Sequence, residues 1–152
     1  MVERSSLFVI DASVAVKWFV QEELRDEALA VRRDYIEGSI DLAAPVLIVY
    51  EVFNALRYHP TLADDIGKYA NSLLDMQIDL RLLSPETNQL AAHLAMTEGI
   101  SGYDAHYLSL AEKLYTKVIT ADEKFANNLS EARKANVILL KGYKRKGTVE
   151  TN

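Results

Sequence analysis

The chain has 152 residues, which is long enough for one domain with a proper core, and its lack of cysteine excludes disulfide frameworks and thiolate chemistry. Hydrophobic residues make up 49% and charged residues 26%, a globular composition, and the net charge of −5 argues against a passive nucleic-acid binder. No stretch reaches the roughly 18 apolar residues of a membrane span and no signal segment opens the chain, so we expect a cytoplasmic protein without a membrane anchor.

A short buried strand is the first predicted element, over residues 7–10. Asp11 comes directly after it, and Ser13 is placed to cap a helix that begins at Val14. Ligands of open α/β sheets bind at the carboxyl ends of strands, so Asp11 stands where chemistry is favoured. An aspartate after a strand also simply starts turns, and Asp11 alone does not decide between these interpretations.

Two helices and a strand are predicted between residues 22 and 58. Apolar residues recur at helical spacing among charges over residues 22–37, which predicts an amphipathic surface helix ended by Gly38. Residues 41–44 are predicted as a second strand, and Pro45 as a first-turn proline of the next helix. That helix, residues 46–58, is apolar nearly all round and is expected to be largely buried.

Glu51 is the one acidic residue of this apolar helix. It shares a narrow stripe with Asn54 and Tyr58, which lie three and seven residues further on. One interpretation is a polar stripe at the surface. The other is a carboxylate held in a pocket, where an unpaired ion is costly and needs a cation. The apolar flanks leave little room for an exposed face, so we favour the pocket.

The middle of the chain continues the alternation of helices and strands. Residues 62–76 predict another amphipathic helix, and residues 78–83 alternate apolar and polar side chains as an edge strand does. The next helix starts at Ser84 and stops at Gly99. His93 lies on its predicted apolar side, which favours a core or boundary histidine over a metal ligand.

Ser101 and Asp104 have the spacing of a capping box at the start of a further helix. Capping is therefore a sufficient structural role for Asp104. His106 is only two residues further on and points to another face of the helix, so a catalytic pair of these neighbours is not expected.

A short strand over residues 117–120 leads into the last part of the fold. Thr120 and Glu123 again have capping-box spacing, which leaves Asp122 without a role other than a favourable charge at a helix N-terminus. Residues 136–140 are the last predicted strand. Strands and helices alternate throughout, which predicts a parallel sheet covered on both faces.

Basic residues cluster near the C-terminus: residues 133–146 contain six of them and no acidic residue. Such a cluster can form an edge that follows a phosphate backbone. A solvated and partly frayed tail is the interpretation we favour. We therefore expect a single domain over residues 1–152, with its core at about residues 7–140 and a basic tail at residues 141–152.

Four carboxylates are expected to meet at one edge of the sheet. Asp11 and Asp122 follow strands, and the carboxyl ends of parallel strands share an edge. Asp104 begins a helix that can open on the same edge, and Glu51 projects from the most apolar helix. Such acids cannot all stay ionised without a cation. Oxygen ligands suit Mg²⁺ or Mn²⁺, and no histidine or cysteine is placed for a zinc site.

The chain resembles a PIN domain in four places that follow one another in order. These are Val-Ile-Asp11-Ala-Ser13, Glu51 within an apolar helix, Tyr-Asp104-Ala, and Ile-Thr120-Ala-Asp122-Glu-Lys-Phe125. The four motifs in this order, with α/β alternation between them, are fairly specific. The resemblance covers about residues 7–140 and is strongest to the VapC toxins of bacterial and archaeal toxin–antitoxin pairs.

This resemblance implies a three-layer α/β/α fold with a central parallel five-stranded sheet. It implies an endoribonuclease that cleaves RNA with Mg²⁺, or with Mn²⁺ as substitute, that is often a homodimer and that has a cognate VapB-like antitoxin. It assigns metal binding and catalysis to Asp11, Glu51, Asp104 and Asp122. Ser13 and Thr120 match the family's small hydroxyl positions near phosphate or metal, and Glu123 matches an outer acid of the site, although capping is a sufficient role for it.

Two other interpretations stay open. A PIN-like domain that binds a partner protein without cutting has no need of four intact acids, and a magnesium titration separates it from an enzyme. A phosphoacceptor receiver domain is also an α/β sheet with carboxylates at strand ends, but it requires an acidic pair after its first strand and a lysine after its last. Asp11 follows the first strand alone, whereas Lys141 does follow the last, so this exclusion is partial.

Overall fold

A five-stranded parallel sheet forms the centre of the computed structural model, in which residues 6–62 and 64–146 are described. Its strands are β1 (Ser6–Ile10), β2 (Ile40–Pro45), β3 (Asp79–Arg81), β4 (Val118–Thr120) and β5 (Val137–Leu139). They lie in the order β3-β2-β1-β4-β5, and each neighbouring pair is parallel. The predicted α/β fold with a parallel five-stranded sheet is confirmed.

Helices connect the strands and cover the sheet. In the described residues they are α1 (Ala12–Ala15), α2 (Arg25–Ile36), α3 (Leu47–Leu56), α4 (Ile66–Asp75), α5 (Pro85–Glu98), α6 (Gly102–Lys113), α7 (Glu123–Asn128) and α8 (Glu131–Lys134). Because parallel crossovers are right-handed, connections made before and after the strand order reverses lie on opposite faces, which gives three layers. None of these helices has the length and apolar character needed to cross a membrane.

Strand β1 is the central strand of the five, with β2 on one side and β4 on the other. Val9 is in register with Ala43 of β2 and with Val118 of β4, and it has no exposed surface. Ile10 is also fully buried. Such β-branched residues suit a strand that is covered on both faces. Asp11 therefore leaves the sheet from its centre.

Helix boundaries follow the sequence where a cap and a stop are both present. Ser84 Oγ accepts a hydrogen bond from the backbone N–H of Thr87 at 3.1 Å, and Thr87 Oγ1 accepts one from the backbone N–H of Ser84 at 3.2 Å. Gly99, with φ +66°, ends α5 as predicted. Helix α2 begins at Arg25 rather than at residue 22, because Leu24 takes a left-handed conformation with φ 64°.

Pro45 belongs to β2, so its predicted role as a first-turn proline is wrong. It is the last residue of the strand and is in register with Arg81 of β3. The backbone N–H of Val46 donates to the Arg81 carbonyl at 2.9 Å and continues the ladder. A proline lacks only its own N–H, and the end of a strand tolerates that loss. Helix α3 starts later, at Leu47.

Helix α3 is fully buried along one stripe only, so the prediction that it is largely buried is wrong. Ile48 and Val52 have no exposed surface, whereas Tyr50 is 70% exposed and Phe53 is 45% exposed. The neighbours of α3 include α1, α4, β2 and the 3-10 turn at Val16–Trp18, and they leave Tyr50 and Phe53 uncovered. We call the exposed side chains of Tyr50, Phe53 and Tyr58 the aromatic face.

His93 lies at the surface of α5 rather than at the core or its boundary as predicted. Ala91 and Leu94 form the buried side of the helix, which packs against α6. Each residue turns a helix by about 100°, so a position next to a buried leucine still faces solvent.

Residues 140–146 form a C-terminal strap that binds back to α2, so the predicted frayed tail is wrong for this segment. Asp34 of α2 has no exposed surface. Its Oδ2 accepts hydrogen bonds from the Tyr143 hydroxyl and the Lys146 backbone N–H, each at 2.7 Å. Arg145 Nε lies 3.3 Å from Oδ1. Residues 147–152 of the predicted tail lie outside the described residues.

The basic cluster does not form a continuous positive edge. Four of its six residues pair with acids: Arg133 with Glu112, Lys134 with Glu131, Lys141 with Glu123, and Arg145 with Glu37. A paired cation offers less charge to a nucleic-acid backbone than a free one, so the segment contributes to tertiary structure.

We expect Tyr143→Phe to lower the free energy of unfolding by about 1 to 3 kcal/mol, because the buried Asp34 carboxylate loses a donor. Urea unfolding followed by circular dichroism measures the change. Tyr58→Phe is the matched control: Tyr58 is 75% exposed, so water replaces its hydroxyl contacts, and we expect a change within about 0.5 kcal/mol. Equal effects of the two substitutions would contradict the role of the strap.

Candidate active site

Strands β1 and β4 fix the first acid of the candidate site at the carboxyl edge of the sheet. Ile10 is in register with Ile119, and the backbone N–H of Asp11 donates to the Ile119 carbonyl at 3.0 Å. The strand order reverses between β1 and β4. Such a reversal is where open α/β sheets bind ligands. Asp11 therefore stands at the position that the fold makes available for chemistry.

Two hydroxyl groups hold the Asp11 carboxylate, which belongs to a residue only 6% exposed. Ser13 Oγ donates to Asp11 Oδ2 at 2.6 Å, and Thr120 Oγ1 donates to the same oxygen at 2.7 Å. The backbone N–H groups of Ala121 and Asp122 donate in turn to Ser13 Oγ and Thr120 Oγ1, each at 3.0 Å. A chain of hydrogen bonds thus links the turn after β4 to Asp11.

Ser13 and Thr120 do not have the capping roles predicted for them. Helix α1 begins directly after Asp11, which takes the N-cap position, so Ser13 lies inside the first turn. The N-cap of α7 is Asp122, whose Oδ1 accepts a hydrogen bond from the backbone N–H of Phe125 at 3.1 Å. The cap falls two residues after Thr120 because Thr120 is still part of β4.

Glu123 lies in the first turn of α7 and pairs with Lys141 at 2.5 Å. Its side chain is 53% exposed, and it does not form the predicted capping box with Thr120. The ion pair joins α7 to the C-terminal strap. Glu123 therefore follows Asp122 directly in the sequence, but its carboxylate is paired with the side chain of Lys141.

Glu51 and Asp104 come from two helices that a tyrosine connects. The hydroxyl of Tyr107, in α6, donates to Oε1 of Glu51, in α3, at 2.8 Å. Tyr107 is 1% exposed and lies three residues after Asp104, on the same side of α6. The backbone N–H of Asp104 donates to Ser101 Oγ at 3.0 Å, so Ser101 caps α6 and supplies its half of the predicted capping box. The sequence alone does not single out Tyr107, although its spacing from Asp104 is a usable signal.

Burial raises the pKa of the Asp11 carboxyl above its usual range. The hydroxyl donors Ser13 and Thr120 lower this pKa, and the charge of Asp122 raises it again. A buried carboxylate beside a second one is stable as an ion only when donors or a cation compensate for the lost water.

Glu51 and Asp104 are half-buried and titrate close to neutral pH. Burial raises the pKa of Glu51 to about 7, against the hydrogen bond from Tyr107, and the charges of Asp11 and Asp104 raise it further. Burial also raises the pKa of Asp104 to about 6, together with the charges of Asp11 and Asp122. Each of the predicted acids is thus close enough to repel at least two of the others.

These side chains do not form a closed cage for a metal ion. Within residues 6–62 and 64–146, no three acidic, cysteine or histidine side chains are grouped closely enough to ligate one ion together. Mg²⁺ is usually held through one or two protein carboxylates while it keeps several waters. The donor set therefore fits a divalent cation that retains part of its hydration.

The fold and its acidic edge define a class of protein, and comparison with known sequences identifies it. Residues 8–128 match the PIN domain family, so the chain belongs to that family. Within the family it is VapC-like. It is 33% identical over 124 residues to Ribonuclease VapC3 of Pyrobaculum aerophilum, a match that spans 78% of this chain and 91% of that protein.

A solved structure shares the fold. The crystal structure of PAE2754 from Pyrobaculum aerophilum aligns with a TM-score of 0.64 and 22% identity, over 91% of this chain and 85% of that one. The receiver interpretation is wrong, because such flavodoxin-like sheets have the strand order 2-1-3-4-5. Here β1 lies between β2 and β4.

The raised pKa values predict how the acids act on stability in the absence of metal. Glu51 and Asp104 keep protons in the folded state up to about pH 7 and 6, whereas their ordinary pKa values are 4.5 and 3.8. Between the ordinary and the raised pKa of each group, the folded state therefore binds more protons than the unfolded state does. Their contribution to the free energy of unfolding falls as the pH rises through this window and is lowest above pH 7.

Glu51→Gln is accordingly expected to raise the free energy of unfolding in EDTA by about 1 to 3 kcal/mol at pH 8, and by less at pH 5. Urea titrations of both proteins between pH 4 and 8 measure the difference. Asp75→Asn, at an exposed carboxylate of α4, is the control and should change stability little at either pH. A difference that is largest at pH 5 would show that the sign is wrong.

Proposed function

We propose that this protein is a metal-dependent endoribonuclease that hydrolyses RNA phosphodiester bonds. The observation that carries the proposal is the group of mutually repelling carboxylates around the buried Asp11, at the edge of the sheet. Membership of the PIN domain family and likeness to a protein named as a ribonuclease support it. Such a group attracts a divalent cation, which in turn attracts a phosphate.

We assign the metal site to Asp11, Glu51, Asp104 and Asp122, with Mg²⁺ as the ion and Mn²⁺ as its substitute; one or two of the acids would hold the ion directly and the others through its bound waters. Carboxylate oxygens suit these hard cations, and a cation offsets the repulsion between the acids. When bound, the ion supplies Lewis acidity and makes hydroxide available near neutral pH for in-line attack on phosphorus.

The chain's own residues hold this site in order. Ser13 and Thr120 donate to Asp11 Oδ2, and donors of this kind favour the ionised form of a buried carboxyl. Tyr107 orients Glu51 through Oε1. In the metal-free protein burial raises the pKa of Glu51 to about 7, and a bound cation would lower it again because it favours the ionised carboxylate.

Single-stranded or looped RNA is the substrate we propose. Asp11 is 6% exposed, so a scissile phosphate must descend below the surface to approach it. Unpaired nucleotides in loops and ends can be splayed out to enter such a site, whereas those of a regular duplex are held in place.

Asp11→Asn, Glu51→Gln, Asp104→Asn and Asp122→Asn should each lower the rate of RNA cleavage by about two orders of magnitude or more, while the fold survives. Each substitution removes one charge from a group that repels itself, so the metal-free fold is not weakened. Asp122→Asn is the sharpest case, because asparagine caps a helix as well as aspartate does. Cleavage of a mixed RNA pool with Mg²⁺, Mn²⁺ or EDTA measures the rates.

Glu123→Gln is the matched comparison for these four variants, because Glu123 lies beside the group and pairs with Lys141. As an outer acid of the site it should cost about tenfold in rate or more, but less than the four ligands do. Wild-type cleavage by Asp122→Asn would mean that Asp122 only caps α7. A wild-type protein that leaves RNA intact with every metal would favour a non-catalytic PIN-like module.

Mg²⁺ or Mn²⁺ should raise the melting temperature, because ions that bind only the folded acids stabilise it by mass action. At a hundredfold excess over Kd the gain is about 3 kcal/mol. For a domain of this size that is roughly 6 to 12 °C. Scanning calorimetry measures the shift, and the quadruple Asn/Gln variant should not show it. An equal shift in both proteins would indicate general charge screening instead.

We propose further that this nuclease is a homodimeric toxin, restrained in the cytoplasm by a small VapB-like antitoxin. Tyr50 and Phe53 of the aromatic face lie on the same helix as Glu51, and Tyr58 follows just after the helix ends. The face offers apolar surface for a partner helix. An arginine of that partner, directed at Asp11 and Asp104, pairs bidentately with carboxylates and competes with the metal.

Co-purification from the native cell, followed by mass spectrometry, tests this partner. We expect a small protein with a basic C-terminal segment, and Phe53→Glu should release it while RNA cleavage continues. Light scattering gives the oligomeric state of the purified chain. Recovery of an uncomplexed, active nuclease that its host tolerates at normal expression would overturn the toxin role and leave the nuclease proposal intact.

A further inference from the structure

An apolar cavity adjoins the acidic edge without containing any of its four acids. Its volume is about 540 Å³, and it is formed by residues at and after the carboxyl ends of β2 and β3 together with one side of α6. Apolar walls include Leu47, Leu82, Tyr103 and Leu110, and the polar groups include Arg81 and His106. Concave sites of this size with a few polar groups are typical of small ligands rather than of flat protein contacts.

Two helices connect the cavity to the acids. In α3, Leu47 lines the cavity and Glu51 lies one turn later on the same face. In α6, Tyr103 lines the cavity and Asp104 is the next residue. One helical turn is about 5 Å long, so the backbone positions of Leu47 and Glu51 are roughly that far apart along α3. A single nucleotide, whose phosphate and base are joined through one sugar, spans such a separation.

We propose that this cavity binds the base of one unpaired nucleotide of the RNA whose phosphate lies among the acids. The inference rests on the proposed nuclease function and adds a base-binding subsite to it. Bases have apolar faces and polar edges, and proteins take unpaired bases between aromatic or apolar side chains while they bind the edges by hydrogen bonds. The lining of the cavity supplies both kinds of contact.

Tyr103 is the side chain on which the base stacks. It is 62% exposed, although it belongs to the first turn of a helix whose next turns are buried. Stacking on an aromatic ring tolerates every base, because each has a π-face. Asp104 is the next residue after Tyr103. The bound nucleotide would therefore place its base in the cavity and its phosphate toward the acidic edge of the sheet.

His106 and Arg81 are the groups that bind the edge of the base. Nδ1 of His106 donates to the Gly102 carbonyl at 2.6 Å, so in the neutral ring Nε2 is an acceptor. Arg81 uses Nε and Nη2 in its pair with Asp79, each at 2.9 Å, which leaves Nη1 as a donor among the described residues. One donor and one acceptor match the edge of a base, which carries both.

A second copy of the chain is the competing occupant, because Leu82 is 80% exposed and Leu83 is 61% exposed. Helices α3 and α6 contribute residues both to the cavity and to the acidic site. This arrangement favours a nucleotide base over a second copy, because a protein segment has no need to lie beside a phosphate site. The oligomeric state of the chain therefore has to be measured together with its RNA binding.

The test uses the full chain carrying Glu51→Gln, which keeps RNA intact, and single-stranded RNA hexamers with 2-aminopurine at one position that is moved along the strand. Stacking in the cavity should quench the fluorescence at one position. Adding Tyr103→Leu should raise Kd about tenfold and remove the quenching, whereas Tyr103→Phe should keep both. Tyr115→Leu, 97% exposed beyond the other end of α6, is the matched control.

Equal Kd values for Tyr103→Leu and Tyr115→Leu would overturn the proposal. So would light scattering in which Tyr103→Leu or Leu82→Asp dissociates a dimer while RNA binding is unchanged, because a second copy then covers the cavity. Quenching by a chain whose wild type cleaves no RNA would support the base site and reject the nuclease. Cleavage by the wild type without quenching at any position would do the reverse.

Discussion

The burial of the Asp11 carboxylate between β1 and β4 is the constraint on which the rest of the site depends. A buried charge without donors is strongly destabilising, and here Ser13 and Thr120 provide the hydroxyls that prevent this. Thr120 ends β4 and is 109 residues away from Asp11 in the chain. The strand pairing that builds the core therefore also delivers the donors, so fold and acidic site form together. Glu51 and Asp104 then gather around a charge that is already fixed.

Local chemistry explains what the sequence predicts well. Apolar runs give the strands, Ser84 and Gly99 give both ends of α5, and an acid after a strand gives the position of Asp11. The sequence does not say which hydroxyl bonds to which acid. Ser13 and Thr120 have the spacing of caps, but both bond to Asp11. The contact from Ser13 is local, whereas the contact from Thr120 depends on the pairing of β1 with the distant β4. The metal-binding roles of the acids stay predictions, and their grouping is looser than a preformed cage.

The wrong predictions for α3 and for the basic tail share a cause. Composition does not reveal which surfaces are covered by other parts of the chain. An apolar helix was expected to be buried, but α3 has neighbours on one side only and keeps Tyr50 and Phe53 in solvent. A basic tail was expected to be solvated, but Tyr143 and Arg145 bind the buried Asp34. An aspartate in a charged helix gives no sign that it will be fully enclosed. The contacts of Asp34 with the C-terminal strap join residues more than a hundred positions apart, so no local sequence pattern predicts them.

The chain order of these contacts has a consequence for synthesis. Strand β1 is synthesised before the strands it pairs with. Val9 is enclosed only after Val118 has been made, and Asp34 only after Tyr143 has been made. Domains usually fold as units during translation, and pairings this distant form slowly. A chain that ends before Thr120 therefore lacks one of the two hydroxyls that hold Asp11, together with the strap that closes over α2. The acidic edge is complete only after β4 has been made, and a product truncated before Thr120 carries Asp11, Glu51 and Asp104 without the rest of the site.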